Sequence, residues 1–326
     1  MYILKIIMSI VARTLNHMMR PRVNLINIQS IAKTNINRHI NGVNIESLTG
    51  SKFKPRLFDV SLRDGLQPIK RIYTLDEKKE LLDTIITKYN PESIEIGSVV
   101  NPKIVPQMAN SLKLYEYVIE HGLDKDRNIY ILTPTLKSLL ESKIYGVRNF
   151  SFISSVSNTF QLKNMKRSLS ETKCEINQMF DKITNNDNVK LYLSCVNECP
   201  ISGIQTNEHI INEFMHYYVR YRHHLTDICI SDTCGTLSYH DFKYIIKELV
   251  TKYGVLPEDI SIHLHLSTQP EDVINLKRIL WWMSHYDIKK IDISCMNGSG
   301  GCHVTLDESK MKANLSYDIL NSIDID

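Results

Sequence analysis

RLFDVSLRDGLQ, residues 56–67, followed by TLDEKKELLDTIITKY, residues 74–89, reads as a strand and then a helix, and this unit decides the fold. Leu57, Phe58, Val60 and Leu62 form an apolar run that is expected to be a buried strand, with Gly65 turning the chain where it stops. Thr74 and Glu77 have the spacing of a capping box, and the apolar residues behind them recur at helical intervals. The same alternation continues along the chain. Strands are expected at 93–98, 128–133, 149–155, 190–195, 227–232, 261–266 and 290–296. Helices are expected at about 105–121, 136–145, 170–183, 208–223, 240–254 and 271–286, the one before Gly254 closed by that glycine. Eight β-then-α units of this length describe an α/β chain folded as a (β/α)₈ TIM barrel.

The barrel fixes where chemistry can sit, because the loops leaving the C-terminal strand ends form a concave mouth. Arg63 and Asp64 fall at such an end. In IHLHL, residues 262–266, His263 and His265 share one face while Ile262, Leu264 and Leu266 share the other. Two imidazoles at adjacent inward positions suit metal ligation better than an apolar core. The seventh strand lies only two places from the first around a closed cylinder, so Asp64 can meet both histidines on one cation. Two nitrogens and a carboxylate with open positions suit Mg²⁺ or Mn²⁺. Glu95, inside the second strand, is costly there unless paired, and Arg63 is its natural partner. Asp232 ends the sixth strand in SDTCG. It either orients a metal histidine, moves protons, or caps the next turn, as Thr233 also could. In NGSGGCHVT, residues 297–305, three glycines surround Cys302, a thiol that a flexible loop could bring to a reacting centre.

Composition narrows the class. Of 326 residues, 43% are hydrophobic and 23% charged, as in a globular protein, and a net charge of +3 is too small to imply nucleic acid. No apolar run approaches the ~18 residues needed to span a bilayer. Seven scattered cysteines fit reduced thiols and an intracellular setting. A zinc site from Cys195, Cys199, Cys229 and Cys234 is a minor alternative, since their spacing is not that of a knuckle. Residues 1–50 are expected to form a separate leader, basic and without Asp or Glu before Glu46, either disordered or transit-peptide-like. That leaves mitochondrial and cytoplasmic locations both open, with residues 51–326 as the catalytic domain.

From about Arg56 to Asn314 the chain resembles the 3-hydroxy-3-methylglutaryl-CoA lyase family, and more broadly the barrels that include isopropylmalate and homocitrate synthases. The landmarks are DVSLRDGLQ, SIEIGSVVNPKIVPQMAN, ILTPTLK, SVSNTFQLKN, YLSCVNECP, SDTCG, IHLHL and GSGGCH, in family order. The resemblance implies that Asp64, His263, His265 and Asn314 ligate a divalent metal. It implies catalytic roles for Arg63, Glu95, Asp232 and Cys302, and substrate contacts for Arg63, Tyr192 and Thr233. The reaction implied is cleavage of a hydroxymethylglutaryl-CoA-like acyl-CoA to acetyl-CoA and acetoacetate. Lys103, Lys137 and Lys163 are candidates for the CoA phosphates by loop position. Departures are also visible. Leu266, Ser267 and Thr268 follow the histidine pair where the family usually carries Asp and then Gly, so a carboxylate that steadies a histidine is expected to be missing. The loop reads GSGGCHV rather than GLGGCPYA. Twelve residues follow Asn314, so a short eighth helix and homodimer formation are expected. Two other readings stay open, a condensing synthase or aldolase on a 2-oxo or 3-hydroxy acid, and a degenerate barrel kept for binding.

Overall fold

The computed structural model describes residues 53–296, 300 and 312–323. The leader and Cys302 lie outside the described residues. Eight strands carry the fold: β1 Arg56–Asp59, β2 Ser93–Ser98, β3 Asn128–Leu132, β4 Asn149–Ser155, β5 Asn188–Ser194, β6 Leu225–Asp232, β7 Ile260–Leu266 and β8 Lys290–Ile293. Each pairs in parallel with the next, and β8 returns to β1 through Arg56↔Lys290 to Asp59↔Ile293. The sheet is therefore a closed barrel, and the chain is a (β/α)₈ TIM barrel. Helices α1 Leu75–Tyr89, α2 Ser111–Glu120, α3 Leu136–Ile144, α4 Asn158–Met165, α5 Leu169–Phe180, α6 Asn207–Tyr221, α7 Tyr239–Lys247, α8 Pro270–His285 and α9 Tyr317–Ser322 surround it. Among the described residues, no helix is long and apolar enough to cross a membrane.

Strand alternation divides the protein into two interiors. Ile94, Ile96, Ile129, Phe150, Leu191, Ile230 and Ile262 face outward into one continuous apolar core with Leu82, Leu114, Phe214, Phe242 and Leu276 of the helices. The intervening residues face the barrel axis, where Phe58, Val60 and Tyr130 form one small cluster and Leu132, Tyr192 and Cys229 another. The rest of that axis is polar and buried, with Glu95, Lys190, Asp227, His263 and Asp292 among its residues.

Local chemistry sets the element ends. Thr74 and Glu77 form the expected capping box on α1, and Gly254, at φ +68°, follows the turn that ends the helix begun as α7. Elsewhere the boundaries differ from the sequence reading. β1 stops at Asp59 because its carboxylate accepts hydrogen bonds from the Ser61 N–H (2.8 Å) and hydroxyl (3.0 Å). Residues Ser61–Gly65 then form one π-helical turn, closed by the Gly65 N–H donating to the Val60 carbonyl at 3.0 Å. Val60 and Leu62 are buried as expected, but in this turn and not in the strand. Gly65 is needed for space: a Cβ there would sit 2.8 Å from Ser294 Oγ and 2.9 Å from Met296 Cγ. In the expected helix at 105–121, Pro106 opens only a single 3₁₀ turn, and α2 begins at Ser111. α4 falls between the expected strand at 149–155 and the expected helix at 170–183; its apolar residues are too few for a periodic signal, but Ser157 caps it by accepting the Phe160 N–H.

Candidate metal centre

The two histidines of β7 stand side by side at the C-terminal mouth, ring centroids 4.8 Å apart. The π-helical turn after β1 brings Asp64 to them, its Oδ2 3.7 Å from His263 Nε2 and 3.6 Å from His265 Nε2. These separations are too long for good hydrogen bonds but suit donors that each lie ~2.1 Å from a shared ion. Among the described residues, this is the one group of three His, Cys, Asp or Glu side chains that converges so. The minor four-cysteine alternative is not assembled: Cys229 lies on the barrel axis, and Cys195 and Cys199 are buried in the outer core.

Asn314 joins them from a two-residue strand, Ala313–Asn314, antiparallel to β7, in the register Asn314↔His265. The return of the chain is tied down by Lys312, whose Nζ donates to Asp272 and to the Gly235 carbonyl. Gly235, at φ +67°, is required there, since a Cβ would lie 2.6 Å from the His265 carbonyl oxygen. Asp64 Oδ2, His265 Nε2 and both Asn314 amide atoms are buried without a hydrogen-bond partner. Unpaired buried polar atoms are costly, and a cation held between Asp64 and His265 would satisfy their acceptor atoms at once.

Both imidazoles are oriented from behind. His265 Nδ1 donates to the Asp232 carbonyl at 2.8 Å, and a carbonyl only accepts, so the other nitrogen faces the site with its lone pair. His263 Nδ1 lies 3.1 Å from Asp292 Oδ2 and does the same toward a carboxylate. The carboxylate expected to be missing after His265 is thus supplied by β8, through Asp292. Ser267 instead donates twice to Asp272.

Arg63 is buried between Asp64 and Glu95, hydrogen-bonded to both, with its guanidinium 5.1 Å from the centroid of the Tyr192 ring. Tyr192 in turn donates to Glu95 at 3.4 Å. Burial works against an ionised Asp64, but the Arg63 guanidinium beside it outweighs this and holds the carboxyl well below the usual range. Asp232 accepts the backbone N–H groups of Thr236 (3.0 Å) and Leu237 (2.9 Å), which is the capping role. Burial nevertheless raises its carboxyl to about 6. Thr233 accepts the Cys195 N–H at 2.8 Å and borders the cavity.

That cavity, about 730 Å³, opens from Arg63, Asp64, Tyr192, His263 and His265 past apolar Val99, Ile104, Val105 and Phe160 to a basic rim. Of the expected phosphate lysines, Lys137 borders it; Lys103 and Lys163 do not, and Lys166 and Arg167 stand there instead. Sequence reasoning missed Asp292, Lys190 and Asp227. The signal was present: each is a charged residue inside an apolar strand, the same anomaly that singled out Glu95.

Comparison with known proteins gives a consistent picture. The family model described as HMGL-like matches residues 54–268. The mitochondrial hydroxymethylglutaryl-CoA lyase of Arabidopsis thaliana is 27% identical over 251 residues, covering 76% of this chain and 50% of that protein. The corresponding enzyme of Macaca fascicularis is 27% identical over 254 residues, 76% of this chain and 72% of that protein. The chain therefore spans about half the length of some curated relatives it matches. In fold, it is similar to an HMG-CoA lyase from Acenitobacter baumannii solved with coenzyme A and 3-methylmalate. The TM-score is 0.72 at 21% identity, over 85% of this chain and 88% of that one.

Proposed function

Because this chain belongs to the HMGL-like family, we propose that it is a divalent-metal-dependent carbon–carbon lyase that cleaves 3-hydroxy-3-methylglutaryl-CoA, or a close acyl-CoA, to acetyl-CoA and acetoacetate. The observation that carries the reading is the convergence of Asp64, His263 and His265, with Asp64 Oδ2 and His265 Nε2 buried and without a hydrogen-bond partner. These oxygen and nitrogen donors suit Mg²⁺ or Mn²⁺. When bound, such an ion would lower the pKa of the substrate's tertiary hydroxyl so that its proton can leave.

The protein's own groups do the rest. A base takes that proton, the oxygen forms the ketone of acetoacetate as the bond between the carbinol carbon and the carbon next to the thioester breaks, and the electron pair of that bond moves into the thioester as an enolate, which is reprotonated on carbon to give acetyl-CoA. Arg63 is assigned to the thioester carbonyl, where a fixed cation stabilises the charge that develops on oxygen. Glu95 holds Arg63 in place, and Tyr192 packs under its guanidinium. Thr233 is assigned to the substrate's polar end. Asp232 acts through the loop it caps and through the His265 imidazole it orients. Cys302 is assigned as the thiol brought to the reacting centre by the glycine-rich segment 297–305. The apolar wall of the cavity suits the pantetheine arm of CoA, with Lys137, Lys166 and Arg167 toward its phosphates.

The test is acetoacetate formation from hydroxymethylglutaryl-CoA by the purified full chain with Mg²⁺ or Mn²⁺. Turnover is expected, with Arg63→Gln abolishing it while metal stays bound. Metal-bound wild-type protein without turnover would overturn the lyase reading in favour of a condensing enzyme or aldolase. Protein that binds no metal would point to a binding barrel.

A further inference from the structure

Lys190 is buried on the barrel axis, where a cation is costly unless fully compensated. Its Nζ donates to Asp292 Oδ1 at 2.9 Å, Asp227 Oδ1 at 3.1 Å and Ser261 Oγ at 2.8 Å, which uses all three of its protons. Asp292 is the junction between this lysine and the candidate metal centre. One of its oxygens accepts from Lys190 and the other accepts from His263 Nδ1 at 3.1 Å. The two histidines are therefore held differently, His263 by a charged carboxylate and His265 by a neutral backbone carbonyl. Packing alone does not account for the arrangement, since an apolar pair of similar volume would fill the barrel at least as favourably.

We propose that Asp292, locked in one orientation by Lys190, is the positioning residue of the metal centre. It fixes the His263 tautomer so that Nε2 presents its lone pair to the cation, and its charge makes that imidazole the stronger of the two nitrogen ligands. The inference rests on Asp64, His263 and His265 holding a divalent metal. In Asp292→Asn, Lys190 claims the amide oxygen and leaves the amide NH₂ facing His263 Nδ1. The imidazole then moves its proton to Nε2, which can no longer ligate.

The test is Mn²⁺ binding to the full-length protein by calorimetry, with melting curves of each metal-free variant to establish that it is folded. Asp292→Asn is expected to bind Mn²⁺ ~10–100-fold more weakly, the range typical when the partner of a metal-bound histidine is lost. Lys190→Met/Asp292→Leu, which removes the carboxylate without leaving Lys190 unpaired, is expected to show the same loss even if the single variant does not fold. Wild-type affinity in either folded variant would overturn the proposal. His263→Ala separates the two layers: if it binds Mn²⁺ as tightly as wild type, the metal reading fails and takes this proposal with it. If His263→Ala loses the metal and the Asp292 variants keep it, this proposal alone fails.

Discussion

Replacing Glu95 by glutamine removes the charge that anchors Arg63 inside the barrel. The Glu95 side chain is fully buried and that of Arg63 is 8% exposed, so the variant strands a guanidinium where water cannot compensate it. Breaking one side of such a pair costs ~3–5 kcal/mol. Asp64 and the Tyr192 ring remain against the guanidinium, which places the expected loss near the lower end, about 3 kcal/mol. The loss can be measured by urea unfolding of wild type, Glu95→Gln, Arg63→Met and the double variant. If the pair is as intimate as its contacts indicate, the double falls short of the summed single losses by about 2 kcal/mol. Mn²⁺ binding to Glu95→Gln should weaken as well, because a freed Arg63 turns toward Asp64 and competes for its oxygens. Additivity of the two single changes within ~0.5 kcal/mol would refute the reasoning.

Two further outcomes follow from the same structure. Burial raises the Asp59 carboxyl from 3.8 to about 6 against the hydrogen bonds from Ser61 and Tyr317. A carboxyl raised in the fold contributes stability that is present below pH ~4 and lost as pH rises through about 6, here about 3 kcal/mol. Asp59→Asn should therefore unfold with a flatter dependence on pH between 4 and 7, while the similar contribution of Asp232 remains in both proteins; parallel slopes would contradict this. Gly97→Ala would drive a Cβ to within 2.6 Å of Ser111 Cβ, beside the hydroxyl that accepts the Ser98 N–H. A loss of ~1–3 kcal/mol is expected, restored by Ser111→Gly; an unchanged urea midpoint would be the contrary result.

The architecture was legible because periodicity and capping are local. The strands SIEIGS and NFSFISS were bounded correctly, and Thr74 announced α1. So was the pairing of Arg63 with Glu95, since a carboxylate in an apolar strand has to find a cation. What escaped was decided by neighbours distant in sequence or by side chains bonding to their own backbone. Asp59 ends β1 early through Ser61, two residues on, and so presents Arg63 and Asp64 from a π-helical turn. Asp292 supplies His263 with the kind of carboxylate partner expected to be missing, and only barrel closure brings β8 beside β7. For Asp232, both the capping and the orienting roles were foreseen, but not that the carboxylate would do one and the carbonyl the other.

The central claim is that the first and seventh strand ends share one cation. Anomalous diffraction from crystals of the protein grown with Mn²⁺ tests it most directly. The account predicts a single manganese peak within bonding distance of Asp64 Oδ2, His263 Nε2 and His265 Nε2, with the Asn314 side chain turned toward it. A manganese peak elsewhere in the molecule, with none between these three side chains, would contradict it.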